Sequence, residues 1–416
     1  MKTRTGVAFV LFALGACTRV QHVENETPSP LPSPTPEASP TPIYVPQKRI
    51  ETAKLFNGIE LHSTFESQPG GTATTERNAA DSYTLELKLH VNVPKPNSDL
   101  QKIAELNDAL PKLLPALDKL VISGKTSPFF ENFYRFKLAT LQQNLPRLDQ
   151  LLSRHNFYDC ETMLELQEPN TKRRALFIQA DMDIDTDGSD GDRIAPVDTE
   201  SPTFQALTSY KWTKKTLMPN PLLASREAKL KQLEAAAKAP NATRELRDQL
   251  GAIRYEIAQL KTNSFLVATA DPYVVLPGWM LQSSQPFTPR VGDYCVVIYK
   301  DVLYPAIIGD VGPRDKIGEA SLRIGKELNA RATADNRPVS ALKVTYLIFP
   351  NSSDKPFAAP DLGKWWSRCE ELLNEIGGHT GELHAWPDVT KPAPTPTPTP
   401  SPTPASAPSA SPDASP

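Results

Sequence analysis

Two acidic residues, Asp310 and Glu319, stand nine positions apart in "GDVGPRDKIGEAS" (Gly309–Ser321), directly after the apolar run Tyr304–Ile308. A carboxyl pair can do proton chemistry: one member protonates a leaving oxygen while the other takes a proton from water. Glycosidic bonds are cut this way, with the carboxyls about 6.5–9.5 Å apart for inversion and about 5–5.5 Å apart for retention. Gly309, Gly312 and Gly318 allow the intervening chain to fold back. The spacing alone favours a structural reading, with Asp310 in a turn and Glu319 as a first-turn acid of a helix over "EASLRIGKEL". Arg314 and Lys316 would lower the pKa of Glu319, and burial at a strand end would raise it.

A second acidic cluster, "DMDIDTDGSDGD", spans Asp181–Asp192. Asp183, Asp185, Asp187 and Gly188 match the first half of a calcium-loop pattern, but Ile194 occupies the place of the closing glutamate. Three readings stand: a solvated acidic loop, an irregular Ca²⁺ site, or an anionic floor for a polycation such as an amino-sugar polymer, whose ammonium groups attract carboxylates. No other cofactor is expected. In "SRHNFYDCETML" (Ser153–Leu164), His155, Asp159 and Glu161 sit between a helix and an expected strand, and His155 reads as a hydrogen-bonded structural residue rather than a base, with no nucleophile elbow or Cys–His pattern evident. Trp279 in "LPGWM" could stack on a sugar face or pack in the core.

The elements that must position these residues are of two kinds. Tyr83–Val93 alternates apolar and polar residues as a half-buried strand does. Short β-branched runs follow: Ala175–Ala180, Ser264–Ala268, Tyr273–Pro277, Tyr294–Lys300, Leu303–Ile308 and Lys343–Phe349. Broken by Gly, Pro and Asp, they predict a barrel or sandwich. Residues 99–153 turn helical, with Ser127-Pro128 as a helix start and an apolar stripe of Tyr134, Leu138, Leu141, Leu145, Leu148 and Leu152, kinked at Pro146. Residues 225–261 predict a helical hairpin inserted between strands, with Leu246, Leu250, Ile253, Ile257 and Leu260 on one seam. Asp361–Ile376 predicts a helix stopped by Gly377-Gly378. The expected fold class is α+β: a β-barrel-like core with a helical N-terminal region and an inserted hairpin. The GD turn followed by a short helix resembles the double-psi β-barrel arrangement.

Both ends of the 416-residue chain read as something other than fold. Residues 1–17 carry Lys2, Arg4, an apolar stretch and Leu14-Gly15-Ala16-Cys17, a lipobox-like signal in which Cys17 would take lipid. Thr18, rather than Asp, after that cysteine points to the outer membrane of a bacterium with two membranes. The expected location is therefore the cell envelope or outside the cell. Residues 18–48 read as a Pro-rich tether and 391–416 as a Pro-rich tail, and these tracts hold many of the 42 prolines. Residues 49–390 remain for the folded part. A net charge of −3 argues against a nucleic-acid partner. Beyond Cys17, Cys160, Cys295 and Cys369 allow one disulfide at most.

"ADMDIDTDG" followed by "YPAIIGDVG…KIGEAS" resembles the fungal-type chitosanases of glycoside hydrolase family 75. The resemblance spans roughly residues 157–349, without the helical insert. It implies a secreted-type hydrolase of β-1,4-linked glucosamine polymers acting with inversion, a catalytic pair at Asp310 and Glu319, and a matching acidic segment at Asp181, Asp183, Asp185, Asp187 and Gly188. The family's DCDG stands here as DTDG. The expectation is an anchored, endo-acting hydrolase in which one of the pair is acid and the other base, with Glu319 as acid and Asp310 as base the first assignment and the reverse its alternative. Asp181, Asp183, Asp185 and Asp187 would hold ammonium groups along the cleft. A non-catalytic glycan-binding lipoprotein on the same fold, or a structural envelope protein, is the alternative.

Overall fold

Tyr273–Pro277 forms a strand in which every residue is buried. A continuous apolar run of this kind needs cover on both faces, and the rest of the fold supplies it. The computed structural model describes residues 48–50, 61–63, 69–80, 82, 91–147, 158–238, 243–336 and 338–390. Cys17, most of the Tyr83–Val93 segment, Leu148, Leu152, His155 and both Pro-rich tracts lie outside the described residues.

The chain divides into two units. The first comprises Met1–Ile50 and Leu61–Leu87. In it β1 (Lys48–Ile50) pairs antiparallel with β2 (Leu61–Ser63), and α1 (Ala73–Glu76) follows. The second unit carries all remaining elements. Its strands are β3 (Lys125–Thr126), β4 (Cys160–Gln167), β5 (Arg174–Asp185), β6 (Lys211–Thr213), β7 (Asn263–Phe265), β8 (Tyr273–Pro277), β9 (Tyr294–Tyr299), β10 (Val302–Gly312), β11 (Glu319–Ser321), β12 (Val339–Ile348) and β13 (Glu382–Leu383). Its helices are α2 (Leu100–Leu106), α3 (Leu110–Leu113), α4 (Leu117–Ser123), α5 (Pro128–Asn144), α6 (Leu223–Ala237), α7 (Arg244–Thr262), α8 (Gly278–Leu281), α9 (Leu322–Leu328) and α10 (Leu362–Glu375).

Six strands close into a barrel in the order β11-β8-β10-β9-β12-β5, and β5 pairs back onto β11. The mixed α+β class with a barrel core, expected from the sequence, is what the chain forms. Closure depends on the 12-residue length of β5. Its first part, Arg174–Ala180, pairs with β4, and its last part, Asp183–Asp185, pairs with β11. Gly318 sits where β11 enters. Its φ is +78°, and a Cβ there would lie 2.3 Å from the carbonyl oxygen of Asp181. Its own carbonyl accepts from Asp183 N at 2.7 Å. Only glycine combines that backbone region with so close an approach.

Alternate strand residues feed two apolar clusters. Tyr273, Val275, Val296 and Ile298 belong to one, which α10 covers with Trp365, Cys369, Leu372 and Leu373. Val274, Leu276, Cys295 and Val297 belong to the other, which α5 covers with Phe129, Phe130, Phe133 and Tyr134. Both helix starts match the sequence reading: Ser127 caps α5 through Phe129 N, and Asp361 caps α10 through Lys364 N. The buried face of α5 keeps Tyr134 and Leu141 of the expected stripe but is wider. Aromatic residues fill it, Leu145 is exposed, and the helix ends at Asn144 rather than kinking at Pro146. Proline removes a backbone donor, and here the helix stops short of that loss.

The helical hairpin is present. α6 and α7 stand on the antiparallel pair β6–β7. Leu250, Ile253, Ile257 and Leu260 are buried, and Arg226–Glu256, Arg254–Glu234 and Lys261–Glu227 cross between the helices. Cys160, Cys295 and Cys369 are all buried and free. No helix among the described residues is long and apolar enough to cross a membrane.

Replacing Gly318 with alanine should destabilise the fold by about 2 kcal/mol or more, the scale of a strained left-handed residue with a backbone clash. A lower urea midpoint at unchanged m-value would show it.

Candidate active site

The barrel register brings the two separated acids into one row. Asp310 pairs with Val275 across β10–β8, Val275 pairs with Glu319 across β8–β11, and Glu319 pairs with Asp183 across β11–β5. Paired residues project to the same side of a sheet. Asp310 and Glu319 therefore flank Val275, two strand spacings apart, or about 9.6 Å at the backbone. One pleat further along, Asp185 pairs with Ser321. A register shift in β10 between Ile308 and Asp310 puts Asp310 into the row. Gly312, at the end of β10, leaves room for the other acid: a Cβ there would lie 3.1 Å from Oε2 of Glu319. Glu319 is thus a strand residue, not the first-turn helix acid that the local pattern also allowed. The helix begins only at Leu322.

The two acids have different surroundings. Oδ1 of Asp310 accepts hydrogen bonds from Ser209 N at 2.9 Å, Ser209 Oγ at 2.6 Å and Val311 N at 2.7 Å. Among the described residues, no hydrogen bond reaches the carboxyl of Glu319. Burial, with Asp185 beside it, pushes Asp310 up to about 7, against the pull of the Ser209 and Val311 hydrogen bonds. Burial, then Asp185, pushes Glu319 up to about 8, and Lys316 pulls it only part of the way back.

The acidic loop closes over the same place. One carboxylate oxygen each from Asp185, Asp187 and Asp310 lies within 4.8 Å of the others. Asp185 accepts from Asp187 N at 2.8 Å and from Tyr273 Oη at 3.0 Å, and burial raises it to about 6. Asp187 accepts from Gln205 N at 2.7 Å, and burial, then Asp185 and Asp310, raises it to about 9. Gly188 turns the loop with φ +101° against the carbonyl of Leu266. Asp181 has no exposed surface, so it faces protein rather than a substrate. As the sequence shows at Ile194, the regular calcium-loop motif is not completed. Asp190 is turned to Arg193, Asp192 accepts from Lys215 N and Thr216 N, and Ile194, at the closing position, is 80% exposed.

Trp279 packs its ring against Phe129 and Phe136 of α5 and donates Nε1–H to the carbonyl of Arg314 at 2.9 Å. Lys137 of α5, 2% exposed, is paired with Asp159 and donates to the carbonyl of Asp315 at 3.0 Å. These contacts hold the loop that delivers Glu319. Asp159 thus serves as the buried partner of Lys137.

Residues 182–377 match the profile of the family described as fungal chitosanase of glycosyl hydrolase group 75. This segment, just under half of the chain, is similar to that family. At the level of the family, the match supports a glycoside hydrolase acting on chitosan, a polysaccharide. No curated protein matches the chain. The group 75 span begins inside β5 and contains Asp183, Asp185, Asp187, Asp310 and Glu319. Lys137 and the rest of α5 lie outside it. Sequence reasoning missed Ser209, Gln205, Tyr273 and Lys137 as members of the site. Tyr273 was legible only as a strand residue, and Ser209 in "LTSYKW" carries no local signal.

These raised carboxyls set a direction for stability. Each binds its proton in the folded state at pH values where the unfolded chain has already released it. The protein is therefore most favoured below the ordinary values of 3.8 and 4.5, and this contribution is lost as pH rises through about 6 to about 9. Urea midpoints should be higher near about pH 5 than near about pH 9, and Asp187→Asn should flatten that slope.

Proposed function

We propose that this chain is an endo-acting hydrolase of a β-1,4-linked amino-sugar polysaccharide of the chitosan type, working with inversion. The observation that carries the reading is the row Asp310–Val275–Glu319. The two raised carboxyls are carried by backbone positions two strand spacings apart on one side of the sheet, a placement compatible with a water and a sugar bond between them.

Asp310 is the base. Its three hydrogen-bond donors favour the ionised form and oppose the burial that raises it. Glu319 is the acid, because it lacks such donors and holds its proton to higher pH. Water gives a proton to Asp310 as its oxygen bonds to the anomeric carbon. The glycosidic C–O bond breaks on the opposite face, and Glu319 protonates the departing oxygen. Asp183 and Asp185 offer negative charge to the ammonium groups of the polymer, and Asp187, which keeps its proton to higher pH, adds a polar contact beside them. The lipobox-like Leu14-Gly15-Ala16-Cys17 and the Pro-rich tract after it support a lipid-anchored form at the cell envelope.

Asp310→Asn and Glu319→Gln should each lower turnover of chitosan by about 10³-fold or more while leaving the urea midpoint close to wild type or above it. Reducing-end release with chitosan measures the first, and proton NMR of fresh products should show the α-anomer. Wild-type turnover in either folded variant would remove the assignment. Separately, Cys17→Ala should move the protein from the membrane to the soluble fraction of expressing cells.

A further inference from the structure

The segment from Gln205 to Tyr210 touches both acidic groups of the site from outside the strands that carry them. Gln205 N donates to Oδ1 of Asp187 at 2.7 Å, and Ser209 N donates to Oδ1 of Asp310 at 2.9 Å. The segment is fixed along its length. Gly188 N donates to the Gln205 carbonyl at 2.8 Å, Ser189 Oγ to the Ala206 carbonyl at 2.7 Å, and Tyr210 N to the Gly309 carbonyl at 2.8 Å. Leu266 N donates to Thr208 Oγ1 at 3.2 Å. Beyond it, the Tyr210 ring stacks on Phe357 with centroids 4.3 Å apart. This is a pinned strap, and one of its side chains reaches the reacting pair.

We propose that Ser209 is the positioning residue that keeps Asp310 ionised and aimed, by placing its hydroxyl and its amide on a single carboxylate oxygen. The inference rests on Asp310 being the base. With Oδ1 held by Ser209 N, Ser209 Oγ and Val311 N, the other oxygen, Oδ2, is the one left to take a proton from water. The groups facing Asp310 are otherwise hostile to its charge: Asp185 from β5, Asp187 from the loop, Glu319 from β11, and the Tyr273 phenol, which is turned to Asp185. A donor from the strap offsets that repulsion, and hydrogen bonds to a charged acceptor are the strong ones.

The experiment is the pH profile of kcat/KM on chitosan for wild type, Ser209→Ala, Ser209→Thr and Asp310→Asn. Ser209→Ala should move the acidic limb up by about one pH unit, which is about a tenfold loss on that limb. The alkaline limb and KM should stay in place, and Ser209→Thr, which keeps a hydroxyl, should restore the limb. A merely structural residue would lower activity without displacing the limb. An unmoved limb in Ser209→Ala, with Asp310→Asn inactive, overturns the role of Ser209 and leaves the hydrolase reading intact. An active Asp310→Asn overturns the hydrolase reading itself. Should Ser209→Ala fail to fold, Ser209→Cys takes its place: the weaker thiol donor should give a smaller displacement in the same direction, and none would overturn the inference.

Discussion

The pairing of β5 with β11 is the contact on which the rest depends. It is only three residues long, Asp183–Asp185 against Glu319–Ser321. Without it the sheet is open, and Glu319 has no fixed distance to Asp310. With it, β8 is held between β10 and β11, and Val275 becomes the spacer that sets how far apart the two acids stand. The same contact lines up Asp183 and Asp185, which are half a barrel away from Asp310 in strand order. Backbone hydrogen bonding thus does the positioning, and a pleated sheet fixes spacing more rigidly than a surface loop would.

That arrangement has an energetic cost. Several carboxyls are drawn into one poorly solvated place, and burial disfavours the charge on each. The surrounding structure answers with local hydrogen-bond donors. Backbone amides from Asp187, Gln205, Ser209 and Val311 meet the acids, and the Tyr273 phenol meets Asp185. Where the fold does bury opposite charges, as with Lys137 and Asp159 or with Arg193 between Asp190 and Asp271, the pairs brace loops around the site. Protons that stay on the remaining carboxyls balance the rest.

Much of this was legible in the chain itself. The runs Tyr273–Pro277 and Tyr294–Lys300 name their strands almost to the residue, because a continuous β-branched stretch bounded by Gly and Pro has few other uses. The hairpin was readable from its seam, and α10 from its cap and terminal glycines. Asp310, Glu319 and the acidic loop were marked by residue type and order. What local pattern could not show was register. Glu319 continues smoothly into "ASLRIGKEL" and reads as helix, yet tertiary pairing draws it into β11. The aromatic face of α5 was hidden behind a leucine stripe of equal period, and the choice between them belongs to what α5 packs against. Ser209 and Lys137 are ordinary residues made functional by neighbours about 100 to 180 positions away.

The length of β5 also decides how this chain can be divided. The group 75 span starts at residue 182, three residues before β5 ends. An excised piece with that boundary would forfeit most of its longest strand, the whole of β4 and the aromatic lid of α5. Its hydrophobic interior would be left open along one side. Anyone wishing to isolate the smallest working unit should carry the helical stretch from residue 91 onward with it, because in this chain the segment that resembles the family and the segment that folds have different borders.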